Sequence, residues 1–265
     1  MVKAVAGGRI NIKIADEIFA VKSEDPYLFE RFIKFHPDFI TYEIPKFEIN
    51  IFRKDSKHRF SYLLKRKAKK LSITLKNERL LRRSLNTKRL DVFAHKTFDL
   101  ENFFRILLSY YLSVNEGLFL HASCVKHRDL AHIFCGPSGA GKSTIAGLAG
   151  KRLVLSDDLI LIRKVNNDYR AFATPFGVHS SNSANINLPI KALYLLRQSN
   201  KIRLEKPQFR ESLTKLVSNL VFLGDHYPQF QRLFYRLLTN SHNFLQQIPC
   251  FNLSFSINHN LWRHL

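Results

Sequence analysis

One eight-residue stretch constrains this 265-residue chain more than any other: Gly136–Ser143 reads GPSGAGKS and fits the pattern G-x-x-x-x-G-K-[ST]. Glycines let successive backbone N–H groups turn inward around a phosphate without a side chain in the way. Lys142 places a positive charge on the outer phosphates, and the Ser143 hydroxyl can coordinate Mg²⁺. The pattern therefore predicts binding of ATP with Mg²⁺. The predicted nucleotide-binding residues are Gly136, Ser138, Gly139, Ala140, Gly141, Lys142, Ser143 and Thr144.

The segments around this loop predict a mixed, largely antiparallel core. Leu118–Val125 and Leu130–Cys135 are apolar runs separated by a polar turn, which indicates an antiparallel hairpin leading into the loop. A short helix is predicted over Ser143–Lys151. Leu159–Lys164 and Tyr169–Thr174 then indicate a second hairpin, at the point where parallel-sheet proteins usually have another helix.

Two adjacent carboxylates follow the loop. The apolar run Leu153–Leu155 ends in Ser156, Asp157 and Asp158. One carboxylate can hold Mg²⁺, directly or through water, and the other can accept a proton from an attacking hydroxyl. Adjacent residues of a strand point to opposite faces, so a sharp turn is needed to bring both into one site. The alternative is an ordinary polar strand end.

The rest of the chain divides at about residue 96. The predicted domains are a strand-rich N-terminal subdomain, 1–96, and an ATP-binding domain, 97–265. Period-two alternation predicts strands in the first, and apolar stripes at helical spacing predict helices in both. The predicted elements are strands at Arg9–Ile14, at Phe47–Phe52 and around Leu71–Leu75, and helices within Pro26–Ile40, at Leu100–Val114 with Asp99 as cap and Gly117 as terminator, at Phe209–Phe222 and at Pro228–Leu238.

Charge and cysteine content narrow the partners and the compartment. The formal net charge is +21, and residues 53–89 hold fifteen Lys or Arg against two acidic residues. This basic segment is either a solvated face or a docking surface for an acidic partner, such as an acidic peptide, a nucleic acid or an anionic membrane. The three cysteines lack disulfide or metal-ligand spacing, which favours a reducing, cytoplasmic location. No run of about 20 apolar residues is present, so we expect no transmembrane segment, and residues 1–16 do not have the pattern expected of a signal peptide.

Several stretches together resemble the HPr kinase-like proteins, whose nucleotide core is shared with ATP-dependent phosphoenolpyruvate carboxykinase. Besides the loop and the Asp157-Asp158 pair, they are Leu118–Ser123, Thr174–Gly177 followed by the strand Lys191–Leu196, and Asn252–Phe255 followed by Leu261-Trp262. The resemblance covers about 118–265. It implies an α/β fold with a P-loop kinase core of the HPr kinase/phosphoenolpyruvate carboxykinase type. Thr144 stands where that family usually has Glu, and its second signature is not found.

The resemblance also implies roles for single residues. His121 would lie near the terminal phosphate, with a core histidine on a buried strand as the alternative. Lys142 would bind the β- and γ-phosphates, and Ser143 the Mg²⁺ ion. Asp157 would be the general base and Asp158 would serve the metal, with the two roles interchangeable. The polar stretch His179–Ser183 would line an acceptor pocket or be an ordinary loop.

Three functions are compatible with these patterns. The first is a kinase that transfers the γ-phosphate of ATP to a hydroxyl of a peptide, protein or small molecule, with an arginine such as Arg197, Arg203 or Arg210 as a further phosphate contact. The second is a nucleotide-binding regulator without turnover, whose basic face binds nucleic acid or an acidic partner. The third, a transport or motor ATPase, ranks last because no L-S-G-G-Q stretch and no parallel-sheet pattern is present.

Overall fold

A computed structural model describes ten stretches of the chain, which are residues 8–25, 27–53, 64–67, 70–73, 88–94, 100–150, 153–176, 184–221, 230–255 and 261–265. The contacts divide the chain into two compact units, Met1–Tyr111 and Leu112–Leu265. The domain boundary predicted at 96/97 stays a prediction, since residues 95–99 lie outside the described stretches. Outside the described stretches also lie Asp99, the predicted acceptor-pocket stretch His179–Ser183 and most of the basic segment.

The first unit is built on a four-stranded mixed sheet. The strands of this unit are β1 Arg9–Ile14, β2 Glu17–Ser23, β3 Phe47–Arg53, β4 Leu64–Lys67, β5 Lys70–Ile73 and β6 Arg89–Ala94. The sheet order is β1-β2-β3-β6, antiparallel between β1 and β2 and parallel elsewhere, while β4 and β5 form a separate antiparallel pair. The isoleucines of β1 are buried and alternate with more exposed polar residues, so the period-two prediction is confirmed for this strand.

Two helices follow the predicted bounds closely. Helix α1 covers Tyr27–Phe35 and is followed by a 3₁₀ turn at Pro37–Phe39. Helix α2 covers Leu100–Val114, as predicted. Within the first unit, Phe104 of α2 is fully buried, and its ring packs edge-on against Phe19 of β2 at 5.3 Å between centroids.

Gly117 ends α2 by a route that differs from the usual left-handed glycine. Glu116 takes the left-handed conformation, with φ of 54°, and the N–H of Gly117 donates to the Leu112 carbonyl at 2.9 Å. A Cβ at position 117 would lie 2.8 Å from the carbonyl oxygen of Ile162. Glycine is therefore needed here for close packing, while the turn itself is carried by its neighbour.

The second unit holds one eight-stranded sheet. Its strands are β7 Leu118–His127, β8 Leu130–Cys135, β9 Val154–Ser156, β10 Leu159–Val165, β11 Asp168–Phe172, β12 Asn187–Gln198, β13 Arg203–Glu205 and β14 Cys250–Phe255. The order is β11-β10-β7-β8-β12-β14-β13, with β9 paired to β7. Within the described residues of this sheet, only β8–β12 and β12–β14 are parallel pairs. The predicted mixed, largely antiparallel core with two hairpins is confirmed.

The sheet also closes on itself. Strand β11 pairs with β10 on one side and with the start of β12, at Asn187–Pro189, on the other. Further along, β12 pairs with β8 and β14. The ring β10-β7-β8-β12-β11 thus has no free edge at these strands, and β13 remains as an outer strand beyond β14.

The helices of the second unit differ from prediction at their ends. Helix α3 covers Lys142–Gly147, α4 covers Phe209–Ser218 and α5 covers Phe230–Gln247, and a 3₁₀ turn lies at Leu261–Arg263. The predicted end of the first at Lys151 is wrong, because Gly147 closes the helix and Gly150 turns at φ of 62°. The predicted end of α4 at Phe222 is also wrong, because Leu220 leaves to bridge Leu120.

Helix α5 runs nine residues past its predicted end at Leu238 because its contacts continue. Phe244 is fully buried, and the Asn240 amide donates to the carbonyls of Ser113 and Gly117 at 3.2 and 3.1 Å. The Ser113 carbonyl is in the last turn of α2, where carbonyls lack an intrahelical donor, and the Gly117 carbonyl lies between α2 and β7. In the described part of the chain, no helix is both long and apolar enough to cross a bilayer.

Candidate functional site

Three neighbouring strands bring predicted site residues to one level of the sheet. Ala122 pairs with Cys135, and Cys135 pairs with Leu195. One residue further along each strand, His121 of β7, Gly136 at the end of β8 and Leu196 of β12 are therefore also level with one another. A Cβ at Gly136 would lie 3.3 Å from the Cβ of Leu196. The structure thus places His121 beside the first residue of the glycine loop.

The loop backbone takes conformations that glycine favours. Gly139 has φ of 81° and Gly141 has φ of 103°, in the left-handed region where a side chain is strained. The Ala140 N–H donates to the Pro137 carbonyl at 3.1 Å and tightens the turn. A Cβ at Gly139 would meet nothing within 4 Å. At Gly139 the loop therefore leaves open space, into which a ligand can approach the backbone.

Two residues that sequence reasoning missed hold the loop from outside. The Gln198 amide donates to the Gly139 carbonyl at 2.7 Å. The ring of Phe255 lies against Gly141, where a Cβ would come within 2.5 Å of it. Gln198 and Phe255 face each other across β12 and β14. Sequence pattern identifies these strands, but it gives no local signal for either contact.

Lys142 folds back over the start of the loop. Its Nζ donates to the carbonyls of Gly136 and Pro137 at 2.8 and 3.1 Å, and the residue is only 7% exposed. Both acceptors are neutral, and no ion pair to Lys142 occurs in the described residues. Burial lowers the pKa of Lys142, opposed by the weaker influences of Cys135 and Asp158. The loop thus encloses a cation whose direct contacts are neutral and whose charge Asp158 offsets only in part.

The acidic pair lies in the turn between β9 and β10. The Ser156 hydroxyl accepts the N–H groups of Asp158 and Leu159 at 3.2 and 2.9 Å, and the Asp158 carbonyl accepts the Ala122 N–H at 2.9 Å. The turn is therefore fixed against β7. The serine followed by two aspartates thus forms a sharp turn at the end of β9, as predicted from the sequence.

The two carboxylates differ in exposure. Asp157 is buried, at 6% exposed. The Asp158 carboxylate is half-exposed and its Oδ1 lies 2.8 Å from the Nε2 of His121, which is also half-exposed. The structure therefore brings His121 and Asp158 together at the surface next to the loop. A core histidine, the alternative considered for His121, does not fit this exposure.

The other predicted site residues lie around the loop. Ser138 and Ser143 are exposed, Ala140 is buried and Thr144 is half-buried. In the described residues there is no cluster of three or more His, Cys, Asp or Glu side chains that could hold a metal ion. Among the arginine candidates, Arg197 is bound by Glu211 at 2.5 Å, and Arg203 and Arg210 are exposed.

Comparison with known proteins places the chain in a family. The family model for "SynChlorMet cassette protein ScmC" matches residues 91–265, about two thirds of the chain. The chain belongs to the ScmC family. The match spans the whole second unit, including the glycine loop and the acidic pair. No curated protein matches the chain.

Among solved structures, the chain is similar to the Hpr(Ser) kinase/phosphatase from Coxiella burnetii. The identity is 14%, and the match covers 48% of this chain and 92% of that one, with a TM-score of 0.27. A likeness this distant carries no weight for the fold or the chemistry. The resemblance to HPr kinase-like proteins therefore depends on the sequence motifs alone.

Proposed function

We propose that this ScmC-family chain is an ATP- and Mg²⁺-dependent kinase with an HPr kinase-like core, which transfers the γ-phosphate to a hydroxyl of a peptide, protein or small molecule. The observation that carries the proposal is the buried, unpaired Lys142 ammonium inside a glycine loop. Burying a charge without a partner is costly, so a site of this kind is better satisfied with an anion present. A phosphate group supplies that anion.

The loop residues fit a nucleotide phosphate. Open space at Gly139 lets an anion approach the backbone, and the left-handed glycines 139 and 141 turn N–H groups in a way that side chains would hinder. Lys142 can exchange its carbonyl acceptors for phosphate oxygens by small rotations of its side chain. Gly136, Ser138, Ala140 and Thr144 complete the predicted contacts.

The residues present also fit Mg²⁺. This ion is usually held by one or two carboxylates together with substrate phosphates and water, so it does not need a protein cage. The exposed Ser143 hydroxyl and one carboxylate of the Asp157-Asp158 pair would hold it. When bound, it offsets the negative charge that develops on the phosphate oxygens.

The transfer itself needs positioning more than covalent chemistry. The acceptor oxygen forms a bond to the γ-phosphorus while the bond from that phosphorus to ADP breaks, and the hydroxyl proton passes to a carboxylate. The family resemblance implies that Asp157 takes this proton and Asp158 serves the metal, with the two roles interchangeable. Exposure favours the exchanged assignment, because Asp158 with His121 is the carboxylate that an incoming acceptor can reach.

The test is ATP binding and phosphoryl transfer by the purified full chain. Binding is measured by calorimetry with Mg²⁺, and transfer by γ-labelled ATP with free serine, free threonine and a panel of peptides as acceptors. We expect label on an acceptor, lost in Lys142→Ala. The matched control is Lys191→Ala, an exposed lysine on β12 near the end remote from the loop. Tight ATP binding with no transfer to any acceptor would overturn the kinase proposal and favour a nucleotide-binding regulator.

A further inference from the structure

Four cationic side chains fall within the ten residues 201–210, shortly after the end of β12. They are Lys201, Arg203, Lys206 and Arg210. All four are exposed, and none forms an ion pair or side-chain hydrogen bond within the described residues. Arg197 differs, because Glu211 holds it and also binds Lys215 at 2.7 Å. Exposed Glu205 is the one acidic residue of the same stretch, so residues 201–210 carry four cations against one carboxylate and favour an anionic partner.

Arg203 lies on an edge strand, β13, and the other three cations flank that strand in sequence. All three residues of β13 are exposed, and within the described residues β13 pairs with β14 alone. The outer side of such a strand presents main-chain N–H and C=O groups that can pair with another extended chain. Peptide recognition by an added strand uses this feature, with main-chain hydrogen bonds for affinity and alternate side chains for specificity.

The strand register places this edge close to the glycine loop. Arg197, Ser254 and Arg203 are level across β12, β14 and β13. One residue further along β12 and β14 are Gln198 and Phe255, the two residues that contact the loop. Since neighbouring strands lie about 4.8 Å apart, the backbone of β13 lies about 10 Å from that of β12.

The two faces of the sheet edge present different surroundings. Phe255 lies on the face of the loop, because its ring contacts Gly141. Cross-strand pairing of Leu204 with Leu253 places Leu204 on that same face. Arg203 is level with Arg197, whose guanidinium contacts Glu211 of α4, and so lies on the opposite face. The side chains of a strand added to β13 would point alternately to the face that carries Arg203 and to the face of the loop.

We propose that β13 and its four cations dock an acidic, extended segment of a peptide acceptor as an added strand. The inference rests on the proposed kinase function and specifies its acceptor as a peptide, tethered beside the loop. Exposed Leu204 and Phe209 add apolar contacts for such a segment. A nucleic acid would use the cations but not the main-chain groups of the edge, so the combination favours a peptide.

The test is binding of a fluorescent probe peptide of about ten residues, with Asp or Glu at alternate positions, Val or Thr between them and one central serine. Anisotropy is measured with the full chain, with and without ATP and Mg²⁺. We expect the double variant Arg203→Glu/Arg210→Glu to weaken binding at least about tenfold. The matched control Arg128→Glu/Lys191→Glu reverses two exposed, unpaired cations of the same unit and should leave binding unchanged.

Two further probes separate strand addition from charge attraction. A peptide of the same sequence with N-methyl groups at alternate residues cannot donate along its backbone and should bind far more weakly. Equal binding of both peptides, or equal binding by wild type and Arg203→Glu/Arg210→Glu, would overturn the inference. So would tighter binding of a single-stranded oligonucleotide of the same net charge, lost in the same variant.

The outcomes also separate this inference from the kinase proposal. ATP binding and transfer to free serine without any binding of the acidic peptide would overturn the docking surface and leave the kinase standing; the charges of β13 would then only protect an edge. Peptide binding that follows the variants as expected, with no ATP binding, would support the docking surface and overturn the kinase.

Discussion

The side-chain amide of Gln198 donates a hydrogen bond of 2.7 Å to the carbonyl oxygen of Gly139. It joins the last residue of β12 to the outermost glycine of the loop. Phe255 lies opposite Gln198 on β14, and its ring packs against Gly141. The loop geometry is thus set by β12, the parallel neighbour of β8, and by β14 beyond it, as well as by the loop's own glycines.

Replacing the Gln198 amide should loosen the loop. Gln198→Met keeps the length of the side chain and removes the donor. We expect ATP binding to weaken about two- to tenfold, because a hydrogen bond of this kind contributes about 0.5–1.5 kcal/mol. The melting temperature should change little, since the side chain is exposed. Calorimetry checks the affinity, with Lys191→Met as control. If Gln198→Met binds ATP as tightly as wild type, the amide does not organise the site.

The two left-handed glycines should respond differently to alanine. Each substitution strains the backbone by about 1–2 kcal/mol. Only at Gly141 does the new Cβ also meet Phe255, at 2.5 Å, which adds about 1–3 kcal/mol of overpacking. Gly141→Ala should therefore lower the melting temperature more than Gly139→Ala does. Adding Phe255→Leu to Gly141→Ala should recover part of the difference. Equal melting temperatures for the two single variants would contradict the packing of Phe255 against the loop.

The lowered pKa of Lys142 predicts a pH dependence of ATP binding. Burial disfavours the ammonium in the free protein, while a bound phosphate favours it, so binding takes up a proton at alkaline pH. Affinity should fall as the pH rises through the lowered pKa. Calorimetry in two buffers of different ionisation enthalpy measures the uptake. Lys142→Arg keeps its charge and should show none. Absence of proton uptake by wild type would mean that Lys142 does not face the phosphate.

The stability of the fold should also depend on the ionisation of Lys142, but it should rise with pH where the affinity for ATP falls. The unfolded chain holds the Lys142 proton more tightly than the folded chain does. Between the lowered pKa and the ordinary value of an exposed lysine, the free energy of unfolding should therefore rise with pH by this contribution. Urea titrations of wild type and Lys142→Met across that window measure the difference. A contribution that falls with pH would contradict a buried, unpaired ammonium.

Local periodicity predicted the elements whose apolar residues recur at a regular spacing. Arg9–Ile14 has the predicted bounds because its burial alternates, and Leu100–Val114 has them because its apolar residues recur at helical spacing, although residues 106–113 are all buried. Helix ends that depend on distant partners were missed. Helix α5 continues because Asn240 binds the end of α2, and α4 stops because Leu220 bridges β7.

The same distinction holds at the candidate site. The loop and the acidic turn are short motifs whose residues act on their own neighbours, so pattern alone located them. The pairing of His121 with Asp158 depends on the register of β7 against β10, where His121 lies opposite Leu159. The contacts of Gln198 and Phe255 join residues 59 or more positions from their partners. Such contacts are fixed by sheet order, which the local pattern does not determine.

The roles of the two aspartates can be separated by Asp157→Asn and Asp158→Asn. The variant that lacks the base should bind ATP and Mg²⁺ normally and lose transfer by about 10²- to 10⁴-fold. The variant that lacks the metal ligand should need more Mg²⁺ for half-maximal rate. Since Asp158 is half-exposed and paired with His121, whereas Asp157 is buried, we expect Asp158→Asn to show the loss of transfer that marks the base.

The measurement is the transfer rate as a function of Mg²⁺ concentration, with Asp129→Asn as a control on the exposed turn between β7 and β8. His121→Gln should resemble Asp158→Asn, because it removes the partner that orients this carboxylate. If Asp157→Asn instead binds ATP normally and loses transfer, Asp157 is the base, as the family resemblance implies. The turn that buries Asp157 would then have to open on substrate binding. If both aspartate variants transfer at the normal rate, the acidic pair takes no part in the reaction, and the proton of the acceptor leaves by another route.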